Sequence, residues 1–127
     1  MSRIKTGLSG ALSALILASP ASAFGDLWPV FAQCAGRYSA ELEHAWLMGD
    51  RDAAMPEERR AHFIALLEGA MPVGAGSAVL DHRISAKFAQ AALLQSAAFD
   101  ESAEARDRAA DVARAHIQSC GRLLLGG

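Results

Sequence analysis

Apolar positions recur along this chain in two rhythms. The first is unbroken: Gly7 to Ala18 carries no charge. From about residue 29 the apolar residues return at three- and four-residue steps, the spacing of one face of an α-helix, and this predicts four helices. The first runs from about Pro29, suited to a first helical turn, to Met48, with Gly49-Asp50 ending it. Its inward stripe is Phe31, Cys34, Ala35, Tyr38, Leu42 and Ala45, with Trp46 as a further candidate. The second opens at Pro56-Glu57-Glu58, where acidic side chains favour the positive end of the helix dipole, and buries Phe63, Leu66, Leu67 and Ala70. Met71 to Gly76 reads as a turn. The third helix spans about Ser77 to Phe99. The fourth follows a cap at Asp100 and turns Ala105, Ala109, Val112, Ala113, His116, Cys120, Leu123 and Leu124 to one side.

The third helix is apolar on two sides. Its main inward stripe is expected to be Leu80, Ile84, Phe88, Ala91, Leu94 and Ala98, and a second row, Val79, Ala86, Leu93 and Ala97, lies on nearly the opposite side. A helix with two apolar faces is either deeply buried or meets something else. Val79, Ala86 and Leu93 recur every seven residues, and small side chains permit a close approach by another helix, so this second row is the candidate partner-binding face. The plainer reading is that alanine is the default helical residue of this chain.

Composition supports the helical reading. Ala, Leu, Glu, Arg and Gln dominate the segments between turns, and runs of Val, Ile and Thr are absent. Short connections between four helices of similar length favour antiparallel neighbours. The expected fold is therefore all-α, an antiparallel four-helix bundle.

Arg3 and Lys5, the uncharged run after them, and Ala21-Ser22-Ala23 together read as a signal peptide, residues 1–23, cleaved after Ala23. The run is shorter than the roughly 20 residues a spanning helix needs, so no stable membrane insertion is expected after cleavage. Removing 23 of the 127 residues leaves 104, enough for one helical domain over residues 24–127. Without Arg3 and Lys5 there remain ten basic residues against fourteen acidic ones, a net charge of −4. That balance argues against nucleic acid, which needs clustered cations to displace counterions. The expected compartment is the periplasm.

Two cysteines, Cys34 and Cys120, stand near opposite ends of the mature chain. In an oxidising compartment an even pair is most simply one disulfide, and the bundle brings the start of the first helix beside the end of the last. A redox-active pair would want C-x-x-C spacing, which is absent.

Candidate chemistry is sparse. His116 falls within the apolar stripe of the fourth helix, where an imidazole must find a hydrogen-bond partner, with Tyr38 or Gln95 as candidates; it is otherwise a ligand for metal or haem. Glu41 and His44 form one E-x-x-H pair, the unit that di-iron bundles use twice. Here it occurs once, and His44 is expected with Arg37 and Met48 on the outer side of the first helix. No second cysteine or histidine follows Cys120 in the C-x-x-C-H pattern of attached haem. The serines lie outside any strained Gly-x-Ser-x-Gly turn, and no nucleophile stands with a base. No cofactor is called for.

The segment Cys34 to Met48, together with Ser85-Ala86-Lys87 and the closing Cys120 to Gly126, resembles a group of short exported helical proteins of alphaproteobacteria. The resemblance implies export and the paired cysteines. It supplies no catalytic residue. The expected function is association with an unknown protein partner or with itself, as an accessory or scaffolding protein rather than an enzyme; the alternative is a small-ligand, metal or haem carrier built on His116.

Overall fold

The computed structural model describes residues 24–125, which fold into four α-helices without a strand. The export signal read at residues 1–23 lies outside them. The helices are α1 (Trp28–Leu47), α2 (Ala54–Ala70), α3 (Gly76–Phe99) and α4 (Ala103–Leu124). Each runs antiparallel to the one before it, so the bundle is the expected one.

Local chemistry sets the boundaries. Pro29 sits in the first turn of α1, where its missing N–H costs nothing. Gly49, at φ +67°, turns the chain left-handed, and the Asp50 N–H then reaches back to the Ala45 carbonyl at 2.9 Å, closing the helix in the Schellman manner. Helix α2 starts two residues before Pro56, which is buried in its first turn. Met71 goes extended because Pro72 follows it. The cap of α4 is Ser102 rather than Asp100: the Ser102 hydroxyl accepts from the Ala105 N–H at 3.3 Å. Asp100 braces the corner one step earlier, accepting from the Ser102 N–H at 3.1 Å and from the Ser96 hydroxyl at 3.2 Å. Both are short polar side chains before a helix, and the sequence alone does not rank them.

Helix α1 is the hub. Along its first four turns it is buried on nearly every side: Phe31, Ala32, Cys34, Ala35, Gly36, Tyr38, Ser39, Ala40 and Leu42 are all out of solvent. Against α2 it sets Phe31 and Tyr38 on either side of Phe63, with ring centroids 6.3 and 5.8 Å away. Against α4 it sets the disulfide, Cys34–Cys120, with Cα atoms 5.7 Å apart. Closing a loop of 86 residues contributes about 4 kcal/mol in the chain-entropy account. Trp46 is the exception to the expected stripe. Ser39 and Ala32, on the same side one and two heptads earlier, are covered, but Trp46 lies in the last turn and is exposed.

The most extensive packing is between α1 and α3. Contacts advance together along both chains, from Gln33 with His82 to Glu43 with Lys87, so these two run parallel. Gly36 makes the approach close: a Cβ there would lie 2.2 Å from the Arg83 carbonyl oxygen and 3.1 Å from the Lys87 nitrogen. A glycine inside a helix weakens it by roughly 1 kcal/mol, and here it lets backbone meet backbone.

That approach reverses the expected faces over the first half of α3; farther along, Ala91, Leu94 and Ala98 of the expected stripe are half-buried, as are Leu93 and Ala97 of the second row. Val79 is only 8% exposed and Ala86, Leu93 and Ala97 are half-buried, so the row read as outer turns inward. Leu80, Ile84 and Phe88, read as inward, stand in solvent, and Phe88 is 69% exposed. The reason is steric. Bulky side chains would hold α3 away from Gly36, whereas small ones let the backbones approach.

Candidate functional site

Two features of the described residues carry chemistry beyond apolar packing. One is inside, where α1, α3 and α4 meet. The other is outside, on α3.

The inner feature centres on Gln90, which is fully buried. Its amide nitrogen donates to the Glu41 carboxylate at 2.7 Å and to the Ala113 carbonyl at 3.1 Å. Because both partners are acceptors, the orientation of the amide is fixed, and its oxygen faces the Nδ1 of His116 at 3.1 Å. His116 therefore donates through Nδ1–H. Burial lowers its pKa from the usual 6.5, and the nearby Arg37 charge adds to that effect, so the neutral ring is favoured. Arg37 is half-buried beside the disulfide, 3.7 Å from the Cys120 sulfur, and not on an outer face. Burial depresses its own pKa as well.

His116 is thus held by Gln90, rather than by Tyr38 or Gln95. The Tyr38 hydroxyl donates to the Ile117 carbonyl at 3.4 Å, and burial raises its pKa. Glu41 and His116 are brought into one network through Gln90. His44 is not: it leans toward α3 and lines a cavity of about 320 Å³ with Leu47, Gln95 and Phe99. Glu41 and His44 do share a second, open groove with Met48, Asp50 and Asp52, yet no group of three His, Cys, Asp or Glu side chains converges as a metal cage among the described residues. Gln90 was missed in the sequence, although it falls at helical spacing among Val79, Ala86, Leu93 and Ala97 and is the fully buried polar residue of that face.

The outer feature is the ridge Leu80, Ile84 and Phe88. Residues four apart form one line along a helix surface, the kind of ridge that fits a groove on a second helix. Farther along the same helix Phe99 is exposed beside Leu47, at the mouth of the cavity that His44 lines. On the α2 side the ridge borders a groove holding Arg60, Arg83 and Lys87. No helix among the described residues is long and apolar enough to cross a membrane. Comparison of the chain with protein-family models, curated proteins and solved structures finds no match.

Proposed function

We propose that this chain is an exported, periplasmic, non-enzymatic protein that works by association, and that the outer ridge of α3 receives the partner. The observation that carries the reading is the placement of Leu80, Ile84 and Phe88 in solvent, on a bundle whose own core closes without them. Exposed apolar residues scattered singly are ordinary, but three in line on one rigid helix form a surface that water leaves at a gain. The buried disulfide supports the reading, because an oxidising compartment is where such a link persists.

The inner network supports it from the other side. Gln90, Glu41 and His116 spend their hydrogen bonds on one another and on the α4 backbone, which fits a role in fixing helix register rather than in chemistry on a substrate. The partner face moves accordingly from Val79, Ala86, Leu93 and Ala97 to the row beside them.

Site-specific photocrosslinking in the native envelope tests the assignment. A crosslinker at Phe88 should give one discrete adduct that Ile84→Glu abolishes, while the same group at Ala115 on the outside of α4 gives none. Equal labelling at both positions, or none at either, would remove the assignment.

A further inference from the structure

The groove beside the ridge says what kind of partner fits. Between α1, α2 and α3 lies an open groove of about 260 Å³ into which Arg60, Arg83 and Lys87 all project, with Leu80 and Ile84 also lining it. One carboxylate, Glu43, answers these three cations, and it is engaged by Lys87 at 2.5 Å. Neither arginine has an ion-pair partner among the described residues, and the Arg60 Nε is buried with no hydrogen-bond acceptor. The whole chain carries a net charge of −2, so this local excess of positive charge runs against its composition. Ser39 offers no proton to a ligand, since its hydroxyl donates to the Ala35 carbonyl at 2.8 Å.

Resting on the docking role of α3, we propose that the partner is an amphipathic protein helix whose apolar face covers Leu80, Ile84 and Phe88 and whose flanking edge carries carboxylates that Arg60 and Arg83 receive. Guanidinium groups meet carboxylates through paired, parallel hydrogen bonds, which gives such an edge direction as well as attraction. Gly36 contributes by position. It draws the Arg83 backbone onto α1 and so holds that cation at the groove. A second copy docked antiparallel through the same ridge would set the Arg83 and Lys87 edge against itself, and like charges across an interface oppose binding. An anionic bilayer is disfavoured by the net negative charge of the whole protein.

Fluorescence anisotropy on the disulfide-bonded protein, using two synthetic helical peptides of about four turns, tests this. Both peptides carry Leu at four-residue steps; one has Glu along the flanking edge and its twin has Lys there. The Glu peptide should bind about tenfold more tightly than the twin, and added salt should erase the preference. The double variant Arg60→Glu with Arg83→Glu should invert it, and Arg60→Gln with Arg83→Gln should level it while keeping the wild-type melting temperature. Equal binding of both peptides would overturn the acidic edge and leave the docking role standing. Binding of neither would overturn both. Capture by phosphatidylglycerol vesicles in place of the peptides, or a dimer that buries the ridge, would also overturn the acidic-helix assignment.

Discussion

Helices α1 and α3 are similar in length and apolar content, lie parallel, and have opposite fates. The first is enclosed by the other three, while the second leaves its bulkiest apolar residues in water. In α1 the large side chains Phe31 and Tyr38 occupy one arc against α2, and the small ones, Gly36 and Ala40, occupy the arc against α3. Both arcs are covered. In α3 the small residues were taken by that same contact, so Leu80, Ile84 and Phe88 had no helix left to meet. Size, rather than hydrophobicity, decides which face of a helix turns inward when its neighbour is a glycine.

The strongest test of this arrangement cuts α1 from α4. Cys34→Ser with Cys120→Ser should lower stability by about 4 kcal/mol, read from urea unfolding with and without reductant on the wild type as control. Next comes the α1–α3 contact itself. Gly36→Ala sets a methyl group against the Arg83 carbonyl and should cost about 3 kcal/mol, whereas Gly69→Ala, which meets open space, should be neutral or slightly stabilising. Gln90→Leu removes the shared partner of Glu41 and His116 and should cost about 2 kcal/mol, with His116 becoming easier to protonate beside an unpaired Glu41. On the outer row, Ile84→Ser should change stability by less than about 0.5 kcal/mol while abolishing the Phe88 crosslink, and Val79→Ser, one residue from Leu80, should do the reverse.

The smallest effect is in pH. His116 has a lower pKa folded than unfolded, so the unfolded chain binds the proton more readily below about 6.5. Its contribution is full above that value and is lost as the pH falls through it toward the folded pKa. Thermal melts at pH 8 and pH 5 should show a decline toward acid that His116→Gln reduces.

Much of this architecture was legible in the periodicity. The stripe Phe31, Cys34, Ala35, Tyr38, Leu42 and Ala45 was visible because polar residues interrupt the rest of α1, and the cysteine pairing followed from the same stripe. The faces of α3 were not, because alanine satisfies either face and hydropathy alone ranked Leu80, Ile84 and Phe88 as core. Two residues held the missing information. Gly36, inside a long helix, marks a close approach, and Gln90, four residues after Ala86 and three before Leu93, falls inside the row that packs. The basic groove was hidden for another reason: Arg60 and Arg83 come from different helices, 23 positions apart, and nothing in their local sequence pairs them.

The disulfide has one more consequence. The turn at Pro72 to Ala75 carries Val73 fully in solvent and separates α1 and α2 from α3 and α4. Because Cys34 lies before that turn and Cys120 after it, a protease that clips the backbone there yields two pieces still joined through sulfur, each keeping its helix pair. Such a nicked molecule would run intact on a non-reducing gel and fall into two bands once the thiols are released.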